Sequence, residues 1–247
     1  MDKRGLIYFY DGSTWNLQYE ADKAENLWQV FAIDQNHVWA CGGTYPDYGV
    51  IYFFNGSSWI KQFETSGNIN GIHAVDEDFV WAVGNEINSL GESMGVIYLY
   101  DGESWGVQHK TATTLSSVTA VDKENAWACG SYPLDYQFPS SLSWRSSGRI
   151  YYFNGKGWSE QHRVGVWFAG ISSSEADRVW AVGFKSSWDA QDLISQVLFY
   201  DGTSWAIQEE MEGWLSGIWA YDNNHVWTAE KNAYFFDGEG WAEQYDA

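Results

Sequence analysis

Apolar and aromatic residues follow the chain in short runs separated by polar, glycine-containing turns. In residues 70–75 apolar and polar positions alternate, which is typical of a half-buried strand. Residues 80–83, 96–100 and 105–108 form three further short strand-like segments, and Asp-Gly precedes the last of them. Asp-Gly and Asn-Gly tolerate positive φ and favour tight hairpin turns. The pattern predicts a unit of four antiparallel strands, here named A, B, C and D in chain order.

Two motifs repeat this unit along the whole sequence. A Tyr/Phe-rich segment ending in Asp/Asn-Gly-x-x-Trp occurs six times, and Val/Ala-Trp-Ala/Thr occurs five times. A fixed internal period of about 40–50 residues with four strands per unit is typical of a β-propeller, in which each sheet buries both faces against its neighbours. We therefore expect the motif tryptophans to be structural core residues: Trp15, Trp39, Trp59, Trp81, Trp105, Trp127, Trp158, Trp180, Trp205, Trp227 and Trp241.

The motifs leave the number of blades open, because six C–D hairpins accompany only five A–B hairpins. The preferred interpretation is a single all-β propeller domain over residues 1–247 with five blades and one surplus C–D hairpin. The alternatives are an incomplete sixth blade, a hairpin exchanged between two chains, or a chain that is part of a larger propeller. The expected units are residues 5–20 (a half blade), 27–62, 69–108, 115–161, 168–208 and 215–245.

The motifs also resemble known repeats. Ile-Tyr-Phe-Tyr-Asp-Gly-Ser-Thr-Trp, residues 7–15, resembles the Asp-box of sialidase-like and photosystem-assembly-factor propellers, but is one residue shorter between Asp and Gly. The order of Val-Trp-Ala-Val-Gly followed by Ile-Tyr-x-Tyr-Asp-Gly-x-x-Trp looks like tectonin repeats, which occur in sugar-binding and scaffold proteins. These resemblances imply a propeller fold. They do not identify a function, since propellers of these kinds include enzymes, receptors and assembly factors.

An antiparallel meander assigns the connections to two faces. The A–B and C–D turns lie at one end of each blade, named here the turn face, and the B–C loops and D-to-A crossings lie at the other, the loop face. Loop lengths vary only on the loop face, and most tryptophans outside the motifs map there. Exposed aromatic rings beside acidic groups suit sugar stacking or a protein contact, although they could also plug the ring. The candidate ligand-binding residues are Trp144, Trp188, Trp28, Trp167, Trp214, Tyr45, Tyr132, Tyr136, Asp135 and Asp189.

Charge and composition exclude several classes of function. The formal net charge of −20 would repel a nucleic-acid backbone or an anionic membrane surface, so neither is an expected partner. The first residues contain no apolar run of signal-peptide length, so we expect a soluble chain, cytoplasmic by default. Cys41 and Cys129 occupy the same repeat position, where other units carry Val or Ala, and are expected to act as small hydrophobic residues rather than as a disulfide or metal pair.

No catalytic or metal-binding pattern is evident. The five histidines occupy scattered or repeated structural positions, no His-x-x-x-His or Cys-x-x-Cys pair is present, and no Gly-x-Ser-x-Gly segment occurs. We expect no cofactor, no bound metal and no catalytic residue. A sialidase-like glycoside hydrolase remains the alternative, because Arg145, Arg149 and Arg163 could converge near one rim.

Two functions of different classes follow from the loop face. One is a lectin-like module whose tryptophans stack on sugars. The other is a protein-interaction scaffold that docks a basic or hydrophobic segment. The expected partner is accordingly a protein or a glycan, bound by a monomer or by a hairpin-exchanged dimer.

Overall fold

The computed structural model describes residues 4–21, 25–44, 48–131, 147–185 and 194–245. Within these ranges the chain forms 22 β-strands and no helix, so the described part contains no helix capable of crossing a membrane. The strands are β1 (Leu6–Tyr10), β2 (Trp15–Glu20), β3 (Asn26–Ala32), β4 (Val38–Thr44), β5 (Tyr48–Phe54), β6 (Trp59–Thr65), β7 (Gly67–Asp76), β8 (Phe79–Ile87), β9 (Ser93–Tyr100), β10 (Trp105–Thr111), β11 (Thr114–Ala120), β12 (Ala126–Ser131), β13 (Gly148–Phe153), β14 (Trp158–Val164), β15 (Trp167–Glu175), β16 (Arg178–Lys185), β17 (Ile194–Tyr200), β18 (Trp205–Glu212), β19 (Leu215–Asp222), β20 (His225–Glu230), β21 (Ala233–Phe236) and β22 (Trp241–Tyr245).

These strands form five four-stranded antiparallel meanders and one two-stranded hairpin. The four-stranded sheets are β3–β6, β7–β10, β11–β14, β15–β18 and β19–β22, and within each sheet the strands neighbour one another in chain order. The hairpin β1–β2 is a separate sheet. The all-β class and the A–B–C–D order that the sequence predicts are therefore confirmed.

The preferred count of five blades is not confirmed. Only Lys231 and Asn232 separate β20 from β21, and a backbone hydrogen bond of 3.2 Å from Glu230 N to Asn232 O closes that turn. The last C–D hairpin thereby completes its own sheet. The first hairpin, β1–β2, therefore cannot pair with β19 and β20. It packs instead beside β3–β6, where Tyr19 contacts Tyr52 with ring centroids 4.9 Å apart. Six sectors with an incomplete first sector fit this arrangement better than a five-bladed ring.

The hydrophobic core consists of four clusters, each lying between two consecutive four-stranded sheets. The B-strand tryptophan of one sheet fills each cluster and packs against side chains of the next sheet. Trp81, for example, meets Trp158 edge-on at a centroid distance of 5.0 Å. The four fully buried members of this series are Trp39, Trp81, Trp127 and Trp180. Dispersion contacts and apolar burial across the sheet interfaces therefore hold the repeats together.

Both cysteines lie inside these clusters, as the sequence predicts. Cys41 and Cys129 are free, fully buried and in different clusters. Burial raises the pKa of Cys41 to about 12, and raises that of Cys129 as well. Each thiol is thus protonated at neutral pH and acts as a small apolar side chain.

Glutamines in the D strands connect neighbouring sheets by accepting indole hydrogen bonds. Gln161 Oε1 accepts from Trp127 Nε1 of its own sheet at 3.1 Å and from Trp205 Nε1 of the next sheet at 2.9 Å. Gln208 accepts in the same way from Trp180 and Trp241. Gln18 and Gln62 each accept one such bond from the following sheet. A buried indole N–H needs an acceptor, and the repeated glutamine supplies it for these six tryptophans. The indole N–H groups of Trp39, Trp81 and Trp158 have no hydrogen-bond partner among the described residues.

Two motif tryptophans are exceptions to the predicted core. Trp15 in the first hairpin is 69% exposed, and Trp227 in the last sheet is 38% exposed. The ring contacts of Trp227 in the described residues are with Trp219, His225 and Phe235, all within its own sheet. Neither tryptophan is covered by a further blade, so the prediction of a buried structural role is wrong for both.

Candidate functional site

The turn face is built from one repeated hydrogen-bond pattern. In each C–D turn an Asp or Asn side chain accepts the N–H groups two and three residues later. Asp101 Oδ1, for example, accepts from Glu103 N at 3.0 Å and from Ser104 N at 2.8 Å. The glycine that follows has positive φ, +92° at Gly102. Since these polar groups are used within the turns, this face presents a uniform surface, and the distinctive chemistry lies on the loop face.

Seven of the ten candidate ligand-binding residues lie outside the described residues. These are Trp144, Trp188, Tyr45, Tyr132, Tyr136, Asp135 and Asp189. Three candidates are described, namely Trp28, Trp167 and Trp214. Trp167 and Trp214 hold the same repeat position in consecutive sheets, the first residue of β15 and the residue before β19, and both lie at D-to-A crossings.

Trp28 belongs to a different surface. It lies inside β3, at a register shift between Leu27 and Gln29, and is 51% exposed. Its side chain lines a groove between β3 and the first hairpin. Trp28 therefore lines a different groove from Trp214, because the extra residue at the bulge places it on the side of the blade that faces β1, and a binding role for Trp28 stays a prediction.

A polar anchor positions Trp214. The Ser195 hydroxyl, fully buried at the start of β17, donates to Gly213 O at 2.8 Å and accepts from Leu215 N at 3.0 Å. The crossing from β18 to β19 is thus fixed on both sides of Trp214. The Trp214 ring packs on Phe184 with centroids 4.9 Å apart, and the indole remains 49% exposed. Gly213 permits the sharp crossing because its φ is +90°.

A concavity of about 200 Å³ opens beside this indole. Its lining combines an aromatic face with hydrogen-bond donors and acceptors: Glu212, Gly213, Trp214, Leu215, Lys231, Asn232 and Tyr234. Asn232 Nδ2 donates to Glu243 Oε1 at 2.7 Å, which orients the amide so that its oxygen is directed away from that carboxylate. We name this concavity the Trp214 pocket. Trp214 was found by sequence reasoning, whereas Lys231, Asn232 and Tyr234 were not.

Lys185 and Glu210 form an ion pair close in sequence to Phe184 and Glu212. Lys185 Nζ lies 2.9 Å from Glu210 Oε1, and the Gln196 amide also donates to Glu210. The Lys185 hydrogen bond, followed by that of Gln196, lowers the pKa of Glu210. Glu210 is therefore ionised at neutral pH and engaged with its neighbours, which does not suit a general acid.

The arginines considered for a sialidase-like grip are also engaged. Arg149 Nε lies 3.2 Å from Glu160 Oε2, and Arg163 Nη2 lies 2.9 Å from Glu160 Oε1. Both guanidinium groups share one carboxylate, so their charge is partly neutralised. Arg145 lies outside the described residues. Within the described residues, no group of three or more His, Cys, Asp and Glu side chains is arranged to hold a metal ion.

Tyr52 and Glu25 form a buried Tyr–Glu contact that resembles a nucleophile pair. Tyr52 Oη donates to Glu25 Oε2 at 2.5 Å, and both side chains are almost fully buried. Burial, and then the hydrogen bond to Glu25, raises the pKa of Tyr52. An activated phenolate needs a lowered pKa and access to substrate, so this contact suits packing better than catalysis.

Comparisons with known proteins support the fold. No protein-family model matches the chain, and no curated protein sequence matches it. Among solved structures, the SapL1 lectin in complex with α-methyl fucoside superposes with a TM-score of 0.64 and 8% identity, covering 100% of this chain and 96% of that one. The six-bladed β-propeller lectin of Aleuria aurantia gives a TM-score of 0.60 and 12% identity over 89% of this chain and 77% of that one.

A third similar structure is that of Sqt1, whose name does not describe it as a lectin. Sqt1 of Saccharomyces cerevisiae gives a TM-score of 0.61 and 12% identity over 99% of this chain and 68% of that one. Identities this low establish the architecture and nothing more. The chain is a β-propeller repeat protein in fold, and six blades, with the first incomplete, agree with the six-bladed lectin.

Proposed function

We propose that this chain is a non-catalytic, lectin-like binding module that holds a carbohydrate in the Trp214 pocket. The observation that carries the proposal is an indole that is rigidly anchored by its neighbours yet half exposed beside a polar concavity. An indole face stacks on the C–H face of a sugar ring, and anchoring keeps the entropic cost of binding low.

The polar groups of the pocket fit the hydroxyl groups of a sugar. Glu212 offers carboxylate acceptors, Lys231 offers an ammonium donor, and Asn232 and Tyr234 can each donate and accept. Sugar hydroxyls need both roles at close spacing. The volume of about 200 Å³ is below the ~300–1,000 Å³ range of pockets for drug-sized ligands, so the pocket suits one small ring rather than an extended cofactor.

The fold is compatible with this role, since SapL1, a protein of similar architecture, is a lectin that binds α-methyl fucoside. The second candidate function is docking of a protein segment, with one side chain inserted beside Trp214. The asymmetry of the pocket favours that alternative, because Lys231 and Asn232 occur in only one short B–C turn, while a repeated sugar site would recur from blade to blade.

A glycan array followed by titration of tryptophan fluorescence tests the proposal. A hit should quench fluorescence saturably in the wild type, and Trp214→Ala should weaken binding at least about tenfold, or ~1.4 kcal/mol. Trp219→Ala is the matched control, because Trp219 lies in β19 of the same sheet and is similarly exposed at 55% but is outside the pocket. It should leave affinity unchanged.

Two results would count against the proposal. Failure of the folded protein to bind any glycan would contradict the lectin-like role and favour the protein-docking alternative. Binding that survives Trp214→Ala but is lost in Trp144→Ala or Trp188→Ala would keep the role and move the site to the longer loops.

A further inference from the structure

A second groove lies away from the Trp214 pocket, beside the first hairpin. It has a volume of about 210 Å³ and is lined on one side by β1 and on the other by β3 and β4. The lining residues are Leu6, Ile7, Tyr8, Leu27, Trp28, Gln29, Val30 and Ala40. In every other sector the space next to a C strand is filled by the A and B strands of the same sheet. The groove is therefore the place of a missing A–B hairpin, and we name it the open slot.

The backbone of β1 provides one free edge in the open slot. The equivalent C strands β5, β9, β13, β17 and β21 each pair with a B strand on one edge and a D strand on the other. Among the described residues, β1 pairs only with β2. Its second edge therefore offers unpaired N–H and C=O groups, which can accept an added strand.

The wall formed by β3 and β4 matches a surface that receives tryptophan in the other sheets. The cross-strand pairs Ile72–Ala82, Val118–Ala128 and Ile171–Ala181 correspond in register to Val30–Ala40. In three successive interfaces these pairs pack against a B-strand tryptophan of the preceding sheet.

Val30 has no such cover. It is 57% exposed, whereas Ile72 at the same position is fully buried. The wall is thus shaped for an indole that no residue of the described chain supplies there.

The last sheet presents the complementary surface. The outward side of β19 and β20 carries Trp219 and Trp227, stacked at a centroid distance of 5.4 Å. In the interior sheets the equivalent of Trp227 is covered by small and β-branched residues of the next B strand, such as Val80 and Ala82 around Trp39. Gln244, the equivalent of the indole-accepting glutamines, hydrogen-bonds only to Ala242 O at 3.5 Å among the described residues.

We propose that the open slot binds a β-hairpin from outside the described residues, whose second strand carries Val-Trp-Ala or a close equivalent. The tryptophan of that hairpin packs on Val30 and Ala40, its valine and alanine face the uncovered Trp227, and its backbone pairs with β1. A second copy of this chain has no hairpin to spare, because each of its five A–B hairpins is paired with its own C–D hairpin. This surface is separate from the Trp214 pocket and does not depend on the lectin-like role.

A labelled synthetic peptide of residues 167–184 tests the proposal, because it reproduces an A–B hairpin of the repeat, contains no cysteine and includes Val-Trp-Ala. Fluorescence anisotropy should show saturable binding to the full chain. Val30→Glu should weaken it at least about tenfold, because a carboxylate would be buried against the indole. Ile60→Glu is the matched control, since Ile60 is an exposed β-branched residue of β6 outside the slot, and should leave binding unchanged. A peptide with Trp180→Ser should bind at least tenfold more weakly.

A short hairpin is only marginally stable alone, so a second measurement removes that cost. The same 18 residues are joined ahead of Arg4 by a flexible linker, which raises their effective concentration to about the millimolar range. The fused hairpin should raise Tm by ~5 °C or more above that of the same fusion carrying Trp180→Ser.

Three outcomes would overturn the proposal. Equal peptide binding by the wild type and Val30→Glu would place the peptide elsewhere. Equal Tm values for the two fusions would show that the slot does not accept the hairpin. A wild-type dimer in light scattering that Val30→Glu converts to monomer would assign the slot to a second copy instead.

Discussion

The interior and terminal blades carry the same motif in different surroundings. Trp81 in β8 and Trp227 in β20 follow the same valine and hold the same position in the register of their sheets. Trp81 is fully buried and meets two rings of the next sheet, Phe153 and Trp158, at 5.0 Å each. Among the described residues, Trp227 contacts rings of its own sheet only. Burial in this repeat protein is therefore decided by the neighbouring blade and not by the repeat itself.

The largest expected difference between interior and terminal blades is that between the substitutions Trp81→Ala and Trp227→Ala. Removal of the buried indole should lower the free energy of unfolding by about 3–5 kcal/mol, since it leaves a large cavity between two sheets. The exposed indole should cost about 1 kcal/mol, because it loses contacts within one sheet only. Urea denaturation of both variants measures the difference. Equal losses would mean that another surface covers Trp227 in solution.

A second position separates the two regions by its response to pH. His73 in β7 and Trp219 in β19 occupy the same register position, opposite Trp81 and Trp227. His73 is enclosed between Phe31 of the preceding sheet, at 4.2 Å between ring centroids, and the backbone of Ala120 in the following one. Burial lowers the pKa of His73 to about 4, although its hydrogen bond with the Ala120 backbone opposes that shift.

The sign of the resulting pH dependence follows from proton linkage. An unfolded histidine has a pKa of about 6.5, so between pH 6.5 and 4 the unfolded chain binds more protons at this residue than the folded chain. The contribution of His73 to stability is complete above pH 6.5. It should decrease as the pH falls toward 4, by on the order of 2–3 kcal/mol.

His73→Phe should remove this part of the pH dependence, since Phe31 holds the same position in β3. Urea midpoints at pH 8, 6 and 4.5 would measure it. The wild type should lose stability faster than the variant below pH 6.5, while at pH 8 the two differ only by packing. Parallel pH profiles would show that His73 is more hydrated than its surroundings indicate.

The sequence predicts the local elements well, because they depend on nearest neighbours. Asp-Gly and Asn-Gly mark the C–D turns, and Val-Trp-Ala marks each B strand. The exposure of Trp15 and Trp227 could not be read from the same motifs, because it depends on whether a further blade exists beside them. The blade count failed for the same reason. By local sequence alone, either β1–β2 or β21–β22 could complete the sheet of β19 and β20. In the structure β21–β22 does so, because only Lys231 and Asn232 separate it from β20.

The candidate site was only partly predictable. Trp214 stood out as a tryptophan outside the motifs at a D-to-A crossing. Tyr234 was hidden because it belongs to the C-strand motif, and Asn232 lies in a connection too short to suggest a loop. The signal that could have found them is that same shortness, since a two-residue turn leaves the adjacent crossing uncovered. The groove lined by Trp28 was not predicted, because a bulge in β3 is not visible in the alternation pattern.

The smallest effect on Tm is expected in the C–D turns, whose backbone hydrogen bonds are alike in the terminal hairpin and in the interior blades. Asp11 in the terminal hairpin and Asp101 in an interior blade accept the same two turn N–H groups, at 2.8 Å each and at 3.0 and 2.8 Å. Asn55 and Asn154 accept the equivalent pairs in two other blades. Asp101→Asn should therefore change Tm at pH 7 by no more than ~2 °C, since the amide oxygen replaces the carboxylate Oδ1 as acceptor. Asp11→Asn should cost slightly more, because Asp11 Oδ2 also accepts from Asn16 Nδ2 at 2.9 Å and an amide nitrogen cannot.

Lowering the pH should reduce the difference in Tm between each variant and the wild type. The Ser104 N–H, and then that of Glu103, lowers the pKa of Asp101, and the turn N–H groups lower that of Asp11 too. A carboxylate with a lowered folded pKa contributes stability above its unfolded pKa of about 3.9, and loses it as the pH falls through the folded value. Thermal melts of both variants beside the wild type at pH 7 and pH 3 would check this. A loss at Asp101 several times larger than at Asp11 would mean that burial by neighbouring blades reaches the turns, whereas small losses at both would confine it to the sheet interfaces, because the turn hydrogen bonds are complete within each hairpin.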